Sequence, residues 1–138
     1  MKLGYIIAYV SDISSEMDFF GRAFDLSTRW IHESGDYGEL NTGQTTLAFA
    51  SHALGALNLP AGYRRLDRSD QPIGLEIALV TESVEEVHER AVRCGAEEIA
   101  RPATKPWGQI VSYVRSPQGI LVELCTPIEK AADEETAG

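Results

Sequence analysis

The stretch GLEIALVTE, residues 74–82, restates GYIIAYVSD, residues 4–12. Gly4/Gly74, Ile7/Ile77, Ala8/Ala78 and Val10/Val80 are identical at an offset of seventy, and Ser11/Thr81 and Asp12/Glu82 are conservative. YGEL at 37–40 and WGQI at 107–110 match at the same offset. A phrase repeated at that spacing in a chain of 138 residues points to two copies of one supersecondary unit.

The content of the unit follows from its periodicities. YIIAYV is a β-branched and aromatic run, apolar on both faces, and reads as a buried strand. SDISSEMDFFGRAF follows, with Ile13, Met17, Phe20 and Phe24 on one helical face and a capping box expected from Ser15 to Asp18. LSTRWIHES alternates as a strand, and YGELNT and TTLAFAS flank GQ as a hairpin. The second half repeats the order. IGLEIALV is a strand. TESVEEVHERAVRCG is a helix with a capping box from Ser83 to Glu86, an apolar face of Val84, Val87, Ala91 and Cys94, and Gly95 past its end. EEIA is a short strand, and WGQIVSYV and GILVELC form a hairpin around RSPQ. The expectation is an α+β fold of two tandem β-α-β-β-β modules, together forming a curved eight-stranded mixed sheet around a cup with the helices outside. The modules occupy residues 1–52 and 72–128 of one domain. Residues 53–71, with Pro60, Gly62 and a charged run, read as a linker without regular structure that covers a site or joins the modules. Residues 129–138 read as an acidic, solvated tail.

Charge and cysteine content narrow the partners. The net charge of −9 argues against nucleic acid, whose phosphates need clustered Lys and Arg. The tail carries one lysine against four acids, and the rest of the excess favours neutral or cationic partners. Cys94 and Cys125 lie in no metal-ligand spacing and read as reduced, buried thiols. MKLGYIIAYVSD lacks the long apolar run of a leader, and no segment approaches the length of a membrane span, so a cytoplasmic protein is expected.

KLGYIIAYVSDISSEMDFFGRAFDL, YGELNTGQTTLAFASH and RSPQGILVELCTP, in this order and duplicated, resemble the vicinal-oxygen-chelate superfamily, the glyoxalase, bleomycin-resistance and extradiol-dioxygenase group. The resemblance covers residues 2–128. It implies metal ligands, His or Glu, at inward positions on the first and last strands of each module. Those positions read Tyr5, Ala48, Glu123 and either Leu75, by the internal repeat, or Glu76, by the family pattern counted back from the helix. Glu76 is the better assignment, because neighbouring strand residues face opposite ways and an unpaired carboxylate against the helix would be costly. This set has no histidine, and Ala48 cannot coordinate. Zinc, nickel or iron sites of this kind want three or four N/O donors. No metal and no cofactor are therefore expected. His32, His52 and His88 read as surface or boundary residues.

Glu76 and Glu123 are candidate ligand-binding acids, with pairing to an arginine such as Arg29 or Arg101 as the structural alternative. Tyr5, Phe49 and Trp107 are the candidate aromatic walls of the same pocket; Tyr9, Trp30 and Tyr113 are read as mainly packing. Glu39 is expected to be solvated or structural. No catalytic residue is assigned. The resemblance, with this site, implies a metal-free, homodimeric small-molecule binding protein of the bleomycin-resistance type, holding an aromatic or cationic ligand in the cup. The alternative is a glyoxalase-type lyase or isomerase, or a dioxygenase-related enzyme, working through Glu76 and Glu123.

Overall fold

A computed structural model of the chain describes residues 1–128; the acidic tail expected at 129–138 lies outside them. Strand β1 (Tyr5–Val10) leads into α1 (Ile13–Phe24), then β2 (Thr28–Ile31), β3 (Tyr37–Leu40) and β4 (Thr46–Ser51). Helix α2 (His52–Asn58) and a 3-10 turn at Leu66–Arg68 lie between the halves. Strand β5 (Glu76–Val80), α3 (Val84–Arg93), β6 (Glu97–Thr104), β7 (Ile110–Arg115) and β8 (Leu121–Cys125) complete the second half. The strand orders are β1-β4-β3-β2 and β5-β8-β7-β6, with β1 parallel to β4 and β5 parallel to β8. This shared topology carries the duplication.

The eight strands hydrogen-bond as two four-stranded mixed sheets, not as one continuous ladder. Strands β1 and β5 are both edges, and the halves are joined by helices, side chains and the intervening segment instead. Helix α1 packs on α3, and Arg90 Nε donates to the Ala23 carbonyl at 2.9 Å. Gln118 Oε1, in the β7–β8 turn, accepts from the backbone N–H groups of Ser11 and Asp12 at the start of α1. The core lies between helices and sheets, with Phe19 and Phe20 of α1 over Leu40 and Phe49, and Val84 and Ala91 of α3 over Val114, Val122 and Leu124.

Several local expectations give way. Asp12, not Ser15, caps α1, accepting from the Ser15 N–H at 3.0 Å. Ser83 caps α3 by position but makes no side-chain cap bond. The two caps are 71 residues apart, one more than the repeat in the letters. That single residue matters, because it makes Glu76 rather than Leu75 the counterpart of Tyr5 at the start of its strand and reverses which face each residue occupies. YGEL and WGQI are not equivalent either, since β3 begins at Tyr37 whereas Trp107 precedes β7. EEIA is only the start of β6, which runs to Thr104 through two register shifts. The segment read as a structureless linker holds α2, capped by the Ser51 hydroxyl. Its Ala and Leu content carried a helical propensity that Gly55 and the short length concealed.

Candidate functional site

One face of each sheet packs on its helix and the other is open. On the second sheet, β5 and β8 pair Ala78 with Glu123 and Glu76 with Leu121, which brings the Glu76 and Glu123 carboxyls onto the open face as diagonal neighbours. Burial raises the pKa of Glu76, and the charge of Glu123 beside it raises it further. Among the described residues no arginine pairs with either acid: Arg29 lies 3.8 Å from Glu39, and Arg101 lies 3.3 Å from Glu98. The Tyr113 hydroxyl donates to Glu123 Oε1 at 2.8 Å. That bond, with burial and the same acids, pushes the phenol up to about 12. Cys125 is next on this face; burial and Glu123 push its thiol up to about 11, so it is protonated and unreactive at neutral pH. The cluster is two carboxyls, a phenol and a thiol, with no cation paired to it among the described residues. Chemically it can hold a positive group, or share a proton between its acids as a base and acid pair.

The first sheet presents a related arrangement. Glu39 is buried; its Oε1 accepts from Trp30 Nε1 at 3.0 Å and its Oε2 from the Tyr37 hydroxyl at 2.8 Å. Burial first, then Glu39, pushes the Tyr37 hydroxyl well above its ordinary range. Tyr5, on the same open face, is 57% exposed, and the Trp30 and Tyr37 rings lie 5.7 Å apart. Of the two roles expected for Glu39, solvated or structural, the solvated one gives way: it is the buried hub of an aromatic cluster. Its place could have been found from strand alternation, which sets it on the same face as Tyr37.

Other predicted residues fall elsewhere. Phe49 is fully buried against Phe20, ring centroids 5.4 Å apart, and belongs to the core under α1. The reason is parity, since Ala48 takes the open face and its neighbour must take the other. Trp107 stands in the β6–β7 turn, 66% exposed, with its Nε1 donating to Gln109 Oε1 at 2.9 Å. It lies on the second half with the acids, at the tip of a hairpin rather than within a strand. His88 is not a surface residue; it is buried between Ser112 Oγ at 2.9 Å and Glu98 Oε2 at 2.8 Å. His52 meets the Tyr63 hydroxyl at 2.7 Å, beside α2.

The resemblance implies a divalent metal, and the residues present do not fit one. The family positions hold Tyr5, Ala48, Glu76 and Glu123, and Ala48 is fully buried with no donor. His88 is committed to the opposite side of the second sheet. Among the described residues no group of three His, Cys, Asp or Glu side chains is placed to hold a metal ion.

Two sheets of identical topology, each backed by a helix and carrying a glutamate–tyrosine pair on its open face, define a duplicated α+β protein of the glyoxalase-fold class. The chain belongs to the glyoxalase/bleomycin resistance protein/dioxygenase superfamily, whose family model matches residues 2–124. A glyoxalase-related enzyme from Fulvimarina pelagi superposes with a TM-score of 0.79 at 17% identity, covering 96% of this chain and 94% of that one. A glyoxalase/bleomycin resistance protein/dioxygenase family enzyme from Burkholderia phytofirmans PsJN gives 0.76 at 18% identity, covering 91% and 98%. TioX from Micromonospora sp. ML1 gives 0.65 at 17% identity, covering 91% and 98%. At these identities the likeness is one of fold. No curated protein matches the chain by sequence. No described helix is long and apolar enough to cross a membrane.

Proposed function

We propose that this chain is a metal-independent small-molecule binding protein that takes a cationic or aromatic organic ligand on the open sheet faces. The observation that carries the reading is the uncompensated acid pair, Glu76 and Glu123, on the open face of the second sheet. A ligand cation would relieve the repulsion that raises Glu76, and Tyr113 fixes the orientation of Glu123. Tyr5 and Trp107 would supply aromatic contact area, and Phe49 would act only by supporting the sheet beneath. The protein is proposed to work as a cytoplasmic homodimer, because Tyr5, Ile7, Trp30, Val80 and Trp107 leave large apolar side chains exposed.

A second reading is favoured by the raised Glu76. A carboxyl whose pKa is raised by burial and by the Glu123 charge, next to that second carboxyl, is an acid and base pair suited to a lyase or isomerase. A thermal-shift screen of aromatic amines and planar aromatic cations, run beside turnover assays with glutathione hemithioacetals, separates the two. Saturable stabilisation by cations without turnover supports binding. Turnover abolished by both Glu76→Gln and Glu123→Gln replaces it with the lyase.

A further inference from the structure

A second concavity borders the acid face, since Leu121, which pairs with Glu76 across β5 and β8, and Leu75 line it. It is a groove of about 290 Å³ at the junction of the two halves, close to the lower end of ordinary small-ligand pockets at roughly 300 Å³. Ile7 and Tyr9 of β1 form one wall, and Ile77 and Ile120 of the second half form the other. The segment between the halves closes it with Leu59, Tyr63, Ile73 and Leu75. None of Tyr5, Glu76, Trp107 or Glu123 reaches it. The groove is open rather than a packing flaw: Ile7, Leu59, Ile73 and Leu75 are 37% to 64% exposed.

One charged residue borders this apolar wall, Arg64, which is exposed. Its neighbour Arg65 is bound to Asp67 and Ser11, whereas Arg64 makes no hydrogen bond or ion pair among the described residues. An arginine can lay its stem along apolar surface and keep its guanidinium in water. The segment that carries it is held in place. Arg115 donates to the carbonyls of Leu66 and Ser69 at 2.8 and 2.9 Å, and Tyr63 stacks on Tyr9 with centroids 4.9 Å apart. The groove is thus preformed, apolar inside and cationic at its rim, in a chain whose net charge is −9.

We propose that this junction groove binds a small amphiphile with an alkyl chain and an anionic head, such as a medium-chain carboxylate. The chain lies between β1 and the segment carrying Ile73 and Leu75, and the carboxylate meets Arg64. The acids do not line this groove, although Leu75 and Leu121 adjoin Glu76, so its occupant is distinguished from a ligand of the acid cluster by the sign of its charge.

Isothermal titration calorimetry with decanoate, decanol and decylammonium, each below its micelle-forming concentration, tests this. Wild type is expected to bind decanoate saturably, and more tightly than either decanol or decylammonium. Arg64→Gln is expected to weaken decanoate by about two- to fivefold, the effect of losing a solvent-accessible ion pair, and to leave decanol unchanged. Ile73→Asp is expected to weaken decanoate more than tenfold, by setting a charge in the apolar wall. Leu75→Asp, at a 64% exposed position, provides the same test if Ile73→Asp fails to fold by circular dichroism. No saturable binding of decanoate by wild type overturns the proposal, including the case where a second copy of the chain fills the groove. Binding that survives both aspartates overturns the location, and equal affinity for decylammonium overturns the anionic head.

Discussion

Glu16 is the most deeply buried acid among the described residues. It sits on α1 with no exposed surface, accepts from Ser116 Oγ at 2.5 Å through Oε2, and has no partner for Oε1 among the described residues. Burial pushes its pKa from 4.5 to about 7, against the lowering effect of Ser116. An acid raised in the folded state leaves stability untouched below its unfolded pKa and penalises it in full above the folded one. Stability is therefore expected to fall as pH rises from about 4.5 to 7, by up to about 3 kcal/mol from this group. Glu16→Gln should remove that slope, read as the difference between urea melts of variant and wild type across this range; parallel slopes would refute it. Glu76 has the same direction of shift but is exposed and crowded by a like charge. Glu76→Gln is expected to keep or raise the urea midpoint while weakening a bound cation by roughly 1–3 kcal/mol. A large loss of midpoint would mean a structural role instead. The donor set also predicts that protein purified without added metal holds well under one equivalent of zinc, nickel, manganese or iron, as measured by plasma emission. Stoichiometric metal would promote the lyase reading.

The elements were legible where period and turn chemistry agreed, as in β1, α1, β4, α3 and β8. They were least legible where tertiary contacts chose the conformation. Helix α2 is held by Tyr63, which lies so close to Gly55 that a Cβ there would fall 2.3 Å from the phenolic oxygen. The β7–β8 turn shows the same dependence. Gly119 has φ +101°, and a Cβ would fall 2.4 Å from the Leu66 carbonyl oxygen, backbone that cannot step aside. Gly119→Ala is therefore expected to cost about 2 kcal/mol or more, since it adds strain at positive φ to a steric clash. Chemical denaturation measures it. A loss no greater than a few tenths of a kcal/mol would mean that the 3-10 turn at Leu66–Arg68 moves away freely.

At the scale of the whole molecule the open faces dominate. Tyr5 and Ile7 on the first sheet and Val80 on the second are 46% to 65% exposed, more apolar surface than a lone chain usually leaves to water. If a second copy covers these faces, Val80→Lys should shift the protein toward monomer in sedimentation velocity without lowering the monomer's helix content. Wild type that sediments as a monomer at micromolar concentration would defeat the homodimer. The junction groove belongs to this scale too, because neither half forms it alone.

The sequence by itself determined the duplication, the strand–helix order of each half and the presence of two acids in otherwise apolar strands, because these rest on local periodicity. For the counterpart of Tyr5 the internal repeat pointed to Leu75, and only the family resemblance favoured Glu76. Which face each residue takes was decided only in three dimensions. The letters repeat at seventy residues and the helix caps at 71, and one residue reverses a strand's inside and outside. In the first half, alternation beside Ala48 sent Phe49 into the core. The surroundings of His88 and Glu16 were fixed by partners distant in the chain, Ser112 and Ser116, and no local period encodes such pairings. The separation into two sheets arose likewise from packing between α1 and α3, which joins the halves without pairing their edges.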